Sequence, residues 1–110
     1  MKKIGIIRCM QTEDICPGTK DFKAIKEGTS AFEETGPAEL VGFVSCGGCP
    51  GDKVVKRAEK LIENGAEIVA FATCMKKGKT CPNFDQIKKE TEEHLKGRTS
   101  FMEWTHQAKQ

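Results

Sequence analysis

Three short, almost uninterrupted apolar runs do most to restrict how this 110-residue chain can fold. They occupy residues 4–7, 40–44 and 68–72. Continuous runs of this length, without alternating polar residues, are typical of strands that are covered on both faces, as in a parallel sheet. Residues 3–8, 40–45 and 68–73 are therefore predicted to be buried strands, and residues 99–104 a weaker fourth strand at an edge.

Amphipathic helical patterns separate the predicted strands. After Asp52, apolar residues follow one helical face as far as Ile62. Similar patterns predict a helix after Asn83 and a shorter one over residues 21–27. The predicted boundary residues are Asp52 and Asn83 at helix starts, Gly28, Gly65 and Gly97 at helix ends, and a capping box of Ser30 and Glu33 that opens one further turn.

The resulting order, β-α-β-α-β-α-β, defines the fold class. It predicts an α/β three-layer sandwich, in which right-handed crossovers join a four-stranded parallel sheet and helices cover both faces. The expected strand order is 2-1-3-4, the flavodoxin-like arrangement without its fifth strand. No linker or low-complexity segment interrupts the pattern, so residues 1–110 are predicted to form a single domain.

Charge and hydropathy exclude several function classes. The 18 basic and 16 acidic residues leave a formal net charge of +2, which argues against a nucleic-acid or membrane-surface protein. No apolar run could span a bilayer, and the run after Lys3 is too short for the core of a signal peptide. A cytoplasmic location is expected. Because the cytosol keeps thiols reduced, the six cysteines call for an explanation other than structural disulfides.

The cysteines repeat one pattern at every predicted β-to-α connection. One cysteine follows each of the first three strands, and a second, followed by proline, precedes the next helix. The strand-end residues are Cys9, Cys46 and Cys74, the helix-start residues are Cys16, Cys49 and Cys81, and His106 follows the fourth predicted strand. The carboxyl ends of parallel strands meet at one edge of a sheet, where ligands bind. All seven side chains are therefore expected at that edge.

Thiolate and imidazole groups at one edge favour a metal site. Such soft ligands select zinc or an iron–sulfur cluster over calcium or magnesium. A tetrahedral zinc ion would use four of the seven candidates, and Cys9, Cys46, Cys49 and Cys74 are the favoured set. The other three would then be outer contacts, ligands of a second metal, or reactive thiols.

The spacing of Cys46 and Cys49 also fits a thiol–disulfide oxidoreductase or a redox sensor, since a Cys-x-x-Cys pair between a strand and a helix is typical of thioredoxin-like enzymes. Phosphatase or arsenate reductase chemistry is disfavoured. It would need an arginine six residues after the nucleophilic cysteine, where Ile15, Asp52 and Thr80 stand instead. Three further possibilities remain open. An anion could bind the loop amides of residues 47–51, a flavin could bind at the same edge, and the edge strand could pair with a second copy.

These residues resemble the CGGC domain family, named for the tetrad that stands here at residues 46–49. The opening strand into Cys9, the Cys-Pro pairs at Cys16 and Cys81, and the closing Trp104-Thr105-His106 also fit, so the resemblance covers nearly the whole chain. It implies a metal-binding domain, with zinc suggested from the family's cysteines and histidines. It implies no assigned biochemical activity.

Overall fold

A computed structural model describes residues 2–10, 18–33, 35–48, 51–72, 83–102 and 105. The strands are β1 (Lys3–Arg8), β2 (Glu39–Ser45), β3 (Ile68–Phe71) and β4 (Ser100–Met102). The helices are α1 (Thr19–Glu27), α2 (Val54–Glu63) and α3 (Phe84–His94), and a 3-10 turn covers Ser30–Phe32. Within the part of the chain that is described, no helix is long and apolar enough to cross a membrane.

The sheet has the predicted order β2-β1-β3-β4, and its three strand pairs are all parallel. Its two faces bury separate apolar clusters. Ile4 and Ile6 of β1 pack with Ala24 and Ile25 of α1 on one face. On the other face, Ile7 and Cys9 pack with residues of α2 and α3. The prediction of helices on both faces of a four-stranded parallel sheet is confirmed.

Helix boundaries agree with the sequence in part. Asn83 precedes α3 as predicted but makes no side-chain cap, and α3 ends at His94, before the predicted Gly97. Gly28 ends α1 with a φ of 68°, and Gly65 follows α2 with a φ of 107°, as predicted. The predicted cap at Asp52 is wrong, because Lys53 is the capping residue and its carbonyl accepts the N–H of Arg57. The N–H of Val54 instead donates to the carbonyl of Gly51, so a backbone turn takes the place of a side-chain cap.

The first helix and the first turn after it also differ from the prediction. Helix α1 begins at Thr19, two residues earlier than predicted, after Gly18 in a left-handed conformation. The capping box of Ser30 and Glu33 is wrong: Thr29 precedes the turn, and neither it nor Ser30 makes a side-chain cap. Ser30 itself has a φ of 54°, and the turn is closed by the bond from the N–H of Phe32 to the carbonyl of Thr29.

Strand β3 ends earlier than its sequence pattern, and β4 begins one residue later than predicted. Strand β3 ends at Phe71, although the N–H of Ala72 still donates to the carbonyl of Ile7 at 2.9 Å. Strand β4 begins at Ser100 and pairs only with β3, which confirms its position at an edge. The predicted extension to residue 104 falls on residues 103 and 104, which lie outside the described residues.

Helix α2 approaches the sheet closely because two strands carry glycine beneath it. A β-carbon at Gly5 would lie 3.0 Å from Cβ of Leu61, and one at Gly42 would lie 2.4 Å from its Cδ2. Strand β2 is also irregular here, since the register with β1 shifts between Ile4 and Gly5. Leu61 is 4% exposed, so the two glycines provide the space that its side chain fills.

We therefore expect Gly42→Ala to destabilise the fold. Alanine inside a strand is normally more favourable than glycine by about 0.5–1 kcal/mol. Here the added methyl group meets Leu61, and we expect a net loss of about 1–2 kcal/mol in the free energy of unfolding. Urea denaturation followed by circular dichroism measures it. In a Leu61→Ala background the same change should be neutral or stabilising, and a stabilising effect in the natural protein would contradict this account of the packing.

Candidate functional site

Two of the predicted ligands, Cys9 and Cys46, stand side by side at the carboxyl edge of the sheet. Strands β1 and β2 run in parallel, and Arg8 is the register partner of Ser45. Each cysteine is the next residue beyond that pair, and the N–H of Cys46 donates to the carbonyl of Arg8 at 2.7 Å. Because neighbouring strands are about 4.8 Å apart, the two residues are adjacent across the strand ends.

Both thiols are shielded from solvent on the same face of the sheet. Cys9 is 2% exposed and Cys46 is 4% exposed. They belong to one apolar cluster with Val54 and Ala58 of α2 and with Phe71 of β3. The backbone N–H of Met10 donates to Sγ of Cys46 at 3.5 Å. This bond directs a backbone dipole at the sulfur, an arrangement that is common around metal-bound thiolates.

The glycines after Cys46 shape the loop that leaves the sheet. Gly47 and Gly48 have φ values of 81° and 101°, which side chains rarely adopt. A β-carbon at Gly48 would lie 3.3 Å from Cε of Met10, so the loop packs against the residue that follows Cys9. The two glycines thus allow the chain to turn sharply between Cys46 and the start of α2.

Ser45 anchors the start of this loop to α2. Nη1 of Arg57 donates to the carbonyl oxygen and to the hydroxyl oxygen of Ser45, both at 3.1 Å. The hydroxyl oxygen of Ser45 also accepts the N–H of Gly47 at 3.2 Å. The backbone on both sides of Cys46 is therefore held by hydrogen bonds to neighbouring groups, which fixes the position of its sulfur.

The other predicted ligands lie outside the described residues. These are Cys16, Cys49, Cys74, Cys81 and His106. Their convergence on Cys9 and Cys46 stays a prediction. Among the residues that are described, no three His, Cys, Asp or Glu side chains are grouped closely enough to hold a metal ion.

A buried polar cluster lies on the opposite face of the sheet, and the sequence did not predict it. Thr105 donates from its hydroxyl to the carboxylate of Asp21, and both residues are almost fully buried. The guanidinium carbon of Arg8 stands 5.6 Å from the centre of the Phe43 ring. Arg8 alternates with Ile4 and Ile6, which marks it in the sequence as a residue facing α1. The cluster ties the segment after β4 to the first turn of α1.

The described cysteines fit a soft metal in their chemistry and their surroundings. The two cysteines lie at neighbouring strand ends, both are buried, and the sulfur of Cys46 accepts a backbone hydrogen bond. Thiolates of this kind suit zinc or an iron–sulfur cluster. A thiol that attacks a disulfide must instead be reachable by its substrate, and Cys46 is only 4% exposed. The burial therefore favours ligation over thiol exchange at this cysteine.

Fold and site together define a class: a small parallel α/β domain with a cysteine-bearing edge. The CGGC domain family matches residues 3–106, nearly the whole chain. The chain therefore belongs to the CGGC domain family. Membership supports a metal-binding role for the domain.

Two archaeal proteins are similar in sequence. The uncharacterized protein MJ0582 of Methanocaldococcus jannaschii is 41% identical over 102 residues, which cover 84% of this chain and 79% of that protein. The uncharacterized protein MJ0766 of the same organism is 44% identical over 54 residues, 47% of this chain and 82% of that protein. No solved structure matches the chain significantly.

Proposed function

We propose that this protein binds a metal through the cysteines at the carboxyl edge of its sheet, with zinc as the favoured metal and an iron–sulfur cluster as the alternative. The observation that carries the proposal is the adjacent, buried pair of Cys9 and Cys46. Two cysteines at the ends of neighbouring strands form half of a tetrahedral thiolate site. Their low exposure excludes the water that would compete for an inner ligand position.

The proposed zinc ligands are Cys9, Cys46, Cys49 and Cys74. The first two are contributed by the ends of β1 and β2, and the Gly47-Gly48 turn gives the chain the freedom to bring a second sulfur back toward Cys46. Cys16, Cys81 and His106 are proposed as outer contacts or as ligands of a second metal. A bound zinc ion would supply Lewis acidity, and a cluster would supply electron transfer.

A role in redox chemistry, sensing or metal handling fits a site at the sheet edge. Ligands of parallel α/β sheets bind at this edge, whereas a purely structural metal is not needed by a domain of this size. We place the protein in the cytoplasm, where thiols stay reduced and available as ligands.

Metal content provides the test. The protein is purified without oxygen, its visible spectrum is recorded, and zinc, iron and sulfide are quantified in the same sample. We expect about one equivalent of zinc and no visible absorption for a four-cysteine site. Brown colour with matching iron and sulfide would select the cluster. Protein that carries neither metal, and takes up neither when reconstituted, would overturn the proposal.

Serine variants test the ligands. Cys46→Ser and Cys9→Ser should each lower the retained metal several-fold, because an alcohol is a poor ligand for either metal at neutral pH. Val69→Thr is the matched control, since Val69 is fully buried in the same cluster and the change adds a hydroxyl group without removing a sulfur. Equal metal content in Cys46→Ser and Val69→Thr, both shown to be folded by circular dichroism, would contradict the assignment.

The alternative function, a thiol–disulfide oxidoreductase using Cys46 and Cys49, makes a different prediction. Cys49→Ser would then abolish turnover of a disulfide substrate and leave the metal content unchanged. The proposed metal site requires the reverse, a loss of metal in Cys49→Ser. Measuring both quantities on the same variant separates the two functions.

A further inference from the structure

Four basic residues form a stripe along one face of α2, beside the loop that follows Cys46. They are Lys53, Lys56, Arg57 and Lys60. Their spacing of three, one and three residues places them on one side of a helix. The stripe is about 10 Å long at the rise of an α-helix, so it concentrates four positive charges within a small area. The near balance of basic and acidic residues over the whole chain gives no sign of this local concentration of positive charge.

The stripe lines a groove. Together with Val44 of β2, the four side chains line an open groove with a volume of about 450 Å³. This size is typical of sites for small molecules, whereas nucleic acids and protein partners need a larger surface. The groove lining is mainly apolar, from Val44 and from the methylene groups of the basic side chains, and a smaller part of it is polar.

The basic residues of the groove differ in whether a described acidic side chain forms an ion pair with them. The ammonium of Lys60 lies 3.2 Å from the carboxylate of Glu63. Within the described part of the chain, no acidic side chain forms an ion pair with Lys53 or Lys56. Arg57 is held in place by its two bonds to Ser45. A ligand in the groove would therefore meet the ammonium groups of Lys53 and Lys56, which form no ion pair with the described residues. It would also meet the guanidinium of Arg57, which Ser45 holds in place.

The groove is continuous with the loop after Cys46. A β-carbon at Gly47 would lie 3.1 Å from Cζ of Arg57 and 3.1 Å from Cδ of Lys53. Both long side chains thus pass over Gly47, one residue from the buried sulfur of Cys46. An anionic ligand in the groove would be adjacent to the candidate metal site.

We propose that this groove binds a small molecule that carries two or more phosphate groups. Four cations within about two helical turns suit a diphosphate or triphosphate better than a single carboxylate. Lys53 and Lys56 would contact the phosphates as mobile ammonium groups, and Arg57 would add a fixed guanidinium. This inference does not depend on the metal site, because none of the groove residues is a candidate ligand.

Calorimetric titration with inorganic triphosphate tests the proposal on the protein as purified. We expect binding that weakens with added salt, and we expect Lys53→Gln/Lys56→Gln to weaken it by about tenfold or more. The matched control is Lys89→Gln/Lys96→Gln, which removes the same charge from exposed lysines at and beyond α3. An equal loss of affinity in both double variants would overturn the proposal, since binding would then depend on net charge alone.

Three further measurements sharpen the result. Amide resonances of Gly47, Gly48 and Arg57 should shift on titration, and those of α3 should not. Because triphosphate chelates metals, the metal content of the protein is measured before and after the titration. If the heat of binding is the same in Lys53→Gln/Lys56→Gln as in the natural protein, the heat comes from chelation, and the proposal is overturned. Citrate provides a polycarboxylate comparison, and equally tight citrate binding would refute selectivity for phosphate. None of these failures would affect the metal content expected for the cysteine site.

Discussion

Phe71→Ala should reduce the free energy of unfolding by about 3–5 kcal/mol, the usual loss for removing a buried phenylalanine. Phe71 is fully buried in β3. Its ring meets Phe84 of α3 edge-on at 5.6 Å and stacks on Phe101 of β4 at 6.3 Å between centroids. The side chain thus joins three elements, so the cavity left by alanine has rigid walls on several sides.

Urea denaturation followed by far-ultraviolet circular dichroism measures this loss. Small domains are stable by about 5–15 kcal/mol, so the variant should unfold at a much lower urea concentration. Phe22→Ala is the matched control, because Phe22 is 40% exposed and makes one edge-on contact with Phe43. We expect that control to lose about 1 kcal/mol. Similar losses in the two variants would show that Phe71 is not at the centre of the core.

The position of Phe71 bears on the candidate site as well as on the fold. It shares an apolar cluster with Cys9 and Cys46. The residues that hold β3, β4 and α3 together therefore also exclude water from the two sulfurs. A weakened core in Phe71→Ala should expose both thiols to alkylating reagents faster than in the natural protein, and Phe22→Ala should not.

The sheet could be predicted from the sequence because strands that are buried on both faces consist of nearly continuous apolar residues. The apolar runs around Ile6, Phe43 and Val69 located three strands, and the observed order is the flavodoxin-like one that was expected for them. The same topology predicted that Cys9 and Cys46 would be neighbours, and the register of β1 and β2 confirms it. The carboxyl ends of parallel strands must share one edge, so residues that follow adjacent strands lie close together.

The local details were less predictable because backbone bonds replaced the expected side-chain caps. Asp52 and Ser30 are common capping residues by type, yet the turns beside them are closed by main-chain groups. The contact between Asp21 and Thr105 joins residues 84 positions apart, so no local pattern marks it. The basic stripe of α2 was visible in its helical spacing, but overall charge balance gave no reason to look for it.

The second large effect concerns Gly51, which lies between the CGGC tetrad and α2. We expect Gly51→Ala to reduce the free energy of unfolding by about 2–5 kcal/mol. Its φ is 93°, and an L-residue in the left-handed region costs about 1–2 kcal/mol. In addition, a β-carbon there would lie 2.4 Å from Cδ1 and 2.7 Å from Cγ1 of Ile87, and overpacking of that kind costs about 1–3 kcal/mol.

Gly36→Ala separates these two contributions. Gly36 has a similar φ of 71°, but a β-carbon there would meet nothing within 4 Å. The control should lose only the backbone contribution, about 1–2 kcal/mol. The difference between the two variants in urea denaturation then measures the collision with Ile87. Equal losses would contradict the close contact between the loop and α3.

Ile87→Val provides the complementary test, because it removes Cδ1, the atom nearest to the added methyl group. Alone it should lose about 0.5–1.5 kcal/mol, as is usual for this change in a core. In a Gly51→Ala background it should cost less than it does alone, because it removes the contact at 2.4 Å and leaves the contact with Cγ1 at 2.7 Å. The contact matters for function because Gly51 donates to the carbonyl of Gly48 at 2.9 Å, within the turn that leaves Cys46. A folded Gly51→Ala variant should therefore retain less metal than Gly36→Ala, since pressure from Ile87 on this turn displaces the backbone that positions the proposed ligands.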